Sequence, residues 1–141
     1  MIYLDKMLSY DNILSRTKSY GRHNDQVSPA ASRSEVSEFL RRLKARMLAE
    51  GLHFVPRKRN LDGLALLGLT INEAERIILD LTEGNYCRGP EQDEDGSTGE
   101  IWFFGVLEDG RSIYIKVKLD DDFAKCLSFH PAERPMRHPY K

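Results

Sequence analysis

The chain has 141 residues, of which 40% are hydrophobic and 30% are charged, and its net charge at pH 7 is −1. This length fits one soluble domain with a hydrophobic core of its own. The balanced charge excludes a uniformly basic nucleic-acid-binding protein but allows a local basic face. Because no apolar run reaches the length of a membrane span and the N-terminus lacks the apolar segment of a signal peptide, we expect a cytoplasmic protein without membrane contact.

Charge is distributed unevenly along the chain. Residues 41–59 contain seven basic residues and one acidic residue, whereas residues 91–109 contain seven acidic residues and no lysine or arginine. The first segment favours a local basic surface and the second an acidic loop, with ordinary clustering of solvated charge as the alternative. The cysteines, Cys87 and Cys126, do not have the spacing of metal ligands, so we expect free thiols in a reducing compartment.

The first 34 residues are expected to extend the domain rather than belong to it. Apolar residues between Met1 and Ser19 recur at roughly helical spacing, which predicts a weak amphipathic helix. Residues 19–34 are rich in serine and include glycine, asparagine, aspartate and proline, as is typical of a linker. Packing on a partner and disorder are both compatible with this pattern. The domain is therefore assigned to residues 35–141.

Two of the helices predicted in this domain begin at a capping box. Ser32 is followed three residues later by Glu35, and Thr70 by Glu73, so each pair can satisfy backbone N–H groups at a helix start. Glycines follow the apolar-periodic segments and end them. The predicted elements are a helix from Ser32 to Gly51, a short strand over residues 52–55 before Pro56, a helix capped by Asn60 and running to Leu67, and a helix from Thr70 to near Gly84.

The last third of the chain predicts a three-stranded antiparallel meander. Asp109-Gly110 lies between two apolar runs and is a strong hairpin signal, and three aspartates at 120–122 mark a second turn. With the preceding helices, this order predicts an α+β fold in which helices cover one face of a small antiparallel sheet. Gly89-Pro90 is expected to break the chain, and three prolines keep the tail after residue 130 extended. The predicted strands are Ile101–Leu107, Ser112–Leu119 and Phe123–His130.

The middle strand alternates between apolar and polar side chains. Its isoleucines and valine point to one face, so the other face carries Tyr114, Lys116 and Lys118. A phenol and two ammonium groups in a row suit a polyanionic ligand. A solvated sheet face is the alternative interpretation.

The candidate catalytic set is Tyr114, Lys116, His130 and Arg88. Antiparallel pairing about residues 120–122 places Tyr114 near Phe129 or His130. Histidine can exchange protons near neutral pH, and cations can stabilise a phosphorane-like transition state. RNA supplies its own 2′-OH nucleophile, so such a site needs neither metal nor cofactor. His130 as a simple strand end, with Tyr114 at a sheet edge, is the alternative. A metal site at His130, Glu133 and His138 is disfavoured, because the spacing matches no helical ligand pair.

The domain resembles the MqsR-family toxins of bacterial type II toxin–antitoxin systems. The resemblance covers about residues 36–130 and consists of HFVPRKRNLDGLALLGLTINEAERIILDL, NYCRG, IWFFGVL, SIYIKVKL and KCLSFH in the same order. It implies a RelE-like α+β fold, cleavage of mRNA without a metal, and inhibition by a tightly bound antitoxin.

The resemblance also implies roles for individual residues. The family's catalytic tyrosine corresponds to Tyr114, and two family lysines correspond to Arg88 and His130. The family's glutamine after the Ile-Trp pair corresponds to Phe103, which cannot hydrogen-bond, and this departure bears on base specificity and activity.

The leading hypothesis is therefore an mRNA endoribonuclease toxin. Its partners would be mRNA and a cognate antitoxin, as a homodimer or a toxin–antitoxin hetero-oligomer. A non-catalytic RNA- or protein-binding module of the same fold is the alternative, and a structural partner acting through the N-terminal helix is a third hypothesis. The residues expected to track the RNA backbone are Arg57, Lys58, Arg59 and Lys118.

Overall fold

The computed structural model describes residues 30–141. These residues form an α+β fold of three α-helices and five strands. The amphipathic helix predicted over Met1–Ser19 lies outside the described residues. No helix in residues 30–141 has the length and apolarity to span a membrane. The helices are α1 (Arg33–Glu50), α2 (Lys58–Leu67) and α3 (Ile71–Leu79), and the strands are β1 (Leu52–Phe54), β2 (Tyr86–Glu91), β3 (Glu100–Glu108), β4 (Arg111–Leu119) and β5 (Ala124–Pro131).

The five strands form one sheet in the order β1-β5-β4-β3-β2. The predicted meander is confirmed as β3, β4 and β5, which pair antiparallel in chain order. The prediction of an all-antiparallel sheet is wrong, because β1 pairs in parallel with β5, with Leu52 opposite Ala124. The long connection through α2, α3 and three strands makes this parallel pairing accessible to β1.

Strand β2 is absent from the sequence prediction, which treats Gly89-Pro90 as a break. Tyr86 pairs with Phe104 and Arg88 with Phe103, and two register shifts interrupt the ladder. Pro90 has no N–H to donate. Because β2 is an edge strand, the sheet loses no hydrogen bond at its centre.

Both predicted capping boxes are present. The Ser32 hydroxyl accepts from the Glu35 N–H while the Glu35 carboxylate accepts from the Ser32 N–H, and Thr70 and Glu73 repeat this arrangement. Helix α3 ends at Leu79, earlier than predicted, and a short 3₁₀ turn follows before β2.

Asn60 is a buried link between α2 and β5 rather than the predicted helix cap. Helix α2 begins at Lys58, so Asn60 lies in its first turn, with 1% of its surface exposed. Its amide donates to the carbonyls of Val55 and Leu127, and its Oδ1 accepts from the Phe129 N–H at 3.2 Å. Strand β1 is too short to pair with this part of β5, so the Asn60 side chain satisfies the backbone there.

Helix α1 covers one face of the sheet. Phe39 of α1 stacks on Trp102 of β3 at 4.5 Å between ring centroids. The predicted inward side chains of β4, Ile113, Ile115 and Val117, are fully buried in this core. The opposite sheet surface carries Phe103, Tyr114 and Lys116 and is called the second face below.

Candidate active site

Tyr114 and His130 meet on the second face. The turn at residues 120–122 predicted Phe129 or His130 as the partner of Tyr114, and a register shift between Lys116 and Val117 makes His130 the partner. The two rings stack with centroids 5.2 Å apart at 28°. Helix α2 packs closely against His130, because a Cβ added to Gly63 would be 2.6 Å from the His130 Cβ. The imidazole is therefore held between the phenol ring and the helix.

The hydrogen bonding of His130 fixes its tautomer. Nδ1 lies 2.9 Å from the Pro131 carbonyl oxygen, which can only accept, so Nδ1 carries the proton and Nε2 keeps its lone pair. Burial lowers the pKa of His130 from its usual 6.5, and the nearby Arg59 and Arg57 add to this, against the opposing effect of the Pro131 carbonyl. The ring is accordingly neutral near pH 7, with Nε2 able to accept a proton.

Lys116 is the centre of a group of cations. Its ammonium lies 5.6 Å from the centroid of the Phe103 ring, and within residues 30–141 no hydrogen bond or ion pair engages it. Burial lowers the pKa of Lys116, and the positive charges of Arg57 and Arg88 lower it further. Cations that raise one another's energy in this way are stabilised when an anion enters between them.

Phe103 supports one of these cations. The Arg88 guanidinium lies 3.6 Å from the Phe103 ring centroid and is ion-paired with Glu91. The Phe103 ring also contacts Tyr114, with centroids 6.2 Å apart. At the position where the resemblance implies a glutamine, the chain therefore has an aromatic platform for Arg88.

Arg57 is held against β5 by a hydrogen bond to the backbone. It donates to the Leu127 carbonyl at 2.6 Å from the loop that precedes α2. The positive charge of Arg57 lowers the pKa values of both Lys116 and His130, because it disfavours their protonated forms.

The other predicted RNA-binding residues lie differently. Lys58 is exposed and pairs with Asp62 at 2.6 Å, while Arg59 pairs with Glu133 near His130. Lys118 has only 4% of its side chain exposed. Its ammonium donates to Asp93 at 2.8 Å and to Ser97 at 2.6 Å, so the acidic loop takes Lys118 off the open surface. Lys118, which was predicted to bind RNA, is therefore buried in an ion pair and is not presented to RNA.

The tail contributes two residues that the sequence prediction did not place in the site. Met136 and His138 pack on Gly105, which lies opposite Tyr114 on β3. A Cβ on Gly105 would lie 2.6 Å from the Met136 Sδ and 3.1 Å from the His138 Cε1. A glycine within a strand of large side chains is the signal for such a close approach.

The remaining polar groups do not form a metal centre. Within residues 30–141, no three histidine, cysteine or acidic side chains are grouped to hold an ion. A cavity of about 510 Å³ is lined by four aspartates, two lysines and a histidine, and Lys118 is one of these lysines, so its lining is of mixed charge.

Comparisons with protein-family models, with curated proteins and with solved structures gave no match.

Proposed function

We propose that this protein is an mRNA endoribonuclease, the toxin of a type II toxin–antitoxin pair, which cleaves RNA by attack of the 2′-OH on the adjacent phosphate. The observation that carries the proposal is the placement of a neutral His130, stacked on Tyr114, beside the cation group around Lys116. A base for the nucleophile and positive charge for the phosphate are the two requirements of this reaction.

The reaction would proceed at one phosphate of the RNA chain. Nε2 of His130 accepts the 2′-OH proton as the O2′–P bond forms. Lys116, Arg57 and Arg88 stabilise the charge that develops on the phosphoryl oxygens. The P–O5′ bond then breaks, which leaves a 2′,3′-cyclic phosphate and a 5′-OH. Tyr114 orients the imidazole through its ring and offers a hydroxyl on the same face.

The biological setting follows from the resemblance. The toxin would act on mRNA in the cytoplasm, and an antitoxin would inhibit it by covering the second face with acidic groups. Arg57, Lys58 and Arg59 would track the RNA backbone beside the site. The assembly would be a homodimer or a toxin–antitoxin hetero-oligomer.

The experiment is incubation of the purified chain with labelled RNA in EDTA, followed by analysis of the fragment ends. We expect fragments with a 2′,3′-cyclic phosphate from the wild-type chain and intact RNA from His130→Gln. The control is His53→Gln, since His53 is an exposed histidine on β1. RNA that stays intact with the wild-type chain would contradict an RNA-cleaving activity on naked RNA.

A non-catalytic RNA-binding module is the second candidate function. It is favoured by Phe103, which cannot hydrogen-bond a base, and by Glu91, which already engages Arg88. This candidate predicts RNA binding that weakens with salt and yields no new RNA ends.

A further inference from the structure

We propose that His138 is the general acid of this site, donating a proton to the O5′ leaving group while His130 accepts the 2′-OH proton. The inference rests on the proposed ribonuclease function and adds a residue outside the segment that resembles the toxin family. Cleavage of a P–O5′ bond needs such a donor, because an alkoxide is a poor leaving group.

The two histidines lie on opposite sides of Tyr114. On β5, His130 is the direct partner of Tyr114, and on β3 the direct partner is Gly105. Because Gly105 has no side chain, the His138 ring fills the space there, with its Cε1 3.1 Å from where a Cβ would lie. Neighbouring strands are about 4.8 Å apart, so the backbones of Gly105 and His130 are separated by about 10 Å across β4, and the His138 ring lies over Gly105.

This separation suits an in-line displacement. The attacking and leaving oxygens lie on opposite sides of phosphorus, so a base and an acid must approach from opposite sides. A phosphate over Tyr114, next to Lys116 on the same strand, would have His130 on the β5 side and His138 on the β3 side.

The orientation of the His138 ring is also consistent with proton donation. Its Nδ1 lies 3.9 Å from the Cys87 Sγ on β2, and burial raises the pKa of the Cys87 thiol to about 12, so the thiol stays neutral. In the imidazole ring, Cε1 separates Nδ1 from Nε2, so Nε2 is the nitrogen away from Cys87. Within residues 30–141 no hydrogen bond engages it.

The tail that carries His138 is anchored beyond it. The Tyr140 hydroxyl donates to the Ala31 carbonyl at 2.7 Å. The Tyr140 ring stacks on the Tyr86 ring, with centroids 5.8 Å apart. The Arg33 guanidinium lies 5.5 Å from the Tyr140 ring centroid and donates to the Tyr140 carbonyl. These contacts hold the tail across the second face and around the β2 edge.

The proposed step balances. The O2′–P bond forms and the P–O5′ bond breaks with its electron pair on O5′. One proton passes from the 2′-OH to the His130 Nε2, and one passes from the protonated His138 Nε2 to O5′. Exchange with solvent then restores both rings.

The test compares two versions of one RNA oligonucleotide whose cleavage site has been mapped, with oxygen or sulfur as the 5′-bridging atom at that site. A thiolate leaves without protonation, so loss of a general acid affects only the oxygen substrate. With the full chain, we expect His138→Gln to slow the oxygen substrate by about 10²-fold or more and the sulfur substrate by less than about threefold, whereas His130→Gln slows both.

Two control variants separate chemistry from packing. Met136→Ala keeps the imidazole but disturbs the tail, so any effect should be equal on the two substrates. His53→Gln should leave both rates unchanged, because His53 lies exposed on β1. If His138→Gln slows both substrates equally, or slows neither, the role of His138 as general acid is overturned, and the proposed ribonuclease function is not affected. If the wild-type chain cleaves no RNA, so that no cleavage site can be mapped, the proposed function and this inference are overturned together.

Discussion

His130 and Tyr114 face each other across the β4–β5 ladder, with ring centroids 5.2 Å apart and ring planes inclined by 28°. The stacking fixes the imidazole independently of the tyrosine hydroxyl. Ring and hydroxyl can therefore be tested separately by substitution at one position.

The first prediction concerns that hydroxyl. Tyr114→Phe keeps the ring stack and removes only the oxygen. We expect a cleavage rate lower by about 10²-fold, because the hydroxyl takes part in proton transfer or binds phosphate. The measurement is a single-turnover rate on labelled RNA. A wild-type rate for Tyr114→Phe, with loss of activity only in Tyr114→Ala, would limit Tyr114 to orienting His130.

The second prediction concerns pH. Since burial lowers the pKa of His130 from 6.5, the ring binds a proton more weakly in the folded chain than in the unfolded chain. Titration of His130 should therefore not lower the free energy of unfolding above pH 6.5. This free energy should decrease as the pH falls below 6.5 toward the pKa of His130 in the folded chain. Urea unfolding between pH 4.5 and 8 measures this, and His130→Gln should remove that part of the pH dependence. A parallel pH dependence in His130→Gln would refute it.

The third prediction concerns Lys116. Its pKa is lowered by burial and by Arg57 and Arg88, so at pH 7 the charged ammonium costs folding free energy. We expect Lys116→Met to raise the melting temperature while it abolishes RNA binding or cleavage. The matched control is Lys58→Met, because Lys58 is exposed on α2, and this variant should change stability little. Lys116→Met with lower stability and full activity would exclude an anion-binding role.

Much of the candidate site follows from sequence pattern because it depends on local register. Alternation along β4 assigns Tyr114 and Lys116 to one face, and the turn after β4 limits the partner of Tyr114 to Phe129 or His130. A register shift between Lys116 and Val117 then brings His130 opposite Tyr114. The first relationship lies within one strand, and the second spans one short turn. Few other pairings are compatible with that spacing.

The parts that sequence pattern misses depend on contacts between distant segments. Lys118 has the same alternation as Lys116, yet the acidic loop folds back and Asp93 buries it. His138 reaches the second face only because the tail crosses β3 at Gly105. Neither contact leaves a periodic signal, although a glycine within a strand indicates that another segment approaches there.

The fourth prediction concerns the contact of Asn60 with β5. Removing its amide leaves the Val55 and Leu127 carbonyls and the Phe129 N–H with one partner fewer in a buried place. We expect Asn60→Ala to lower the free energy of unfolding by about 2–3 kcal/mol in urea titration. Asn72→Ala is the control, since Asn72 is exposed on α3 and should cost little. A loss equal to that of the control would show that α2 does not depend on this amide.

The last prediction concerns the contact between Gly105 and the tail. In a strand, alanine is intrinsically favoured over glycine, so without the tail Gly105→Ala would stabilise the chain. Because the Met136 Sδ lies 2.6 Å from the position of the new Cβ, we expect Gly105→Ala to destabilise it instead, by about 1–3 kcal/mol. Adding Met136→Ala should recover part of this loss, and the double-mutant cycle in urea titration measures the coupling. Additive effects would show that the tail does not pack on β3 in solution, and His138 would then lose its place beside Tyr114.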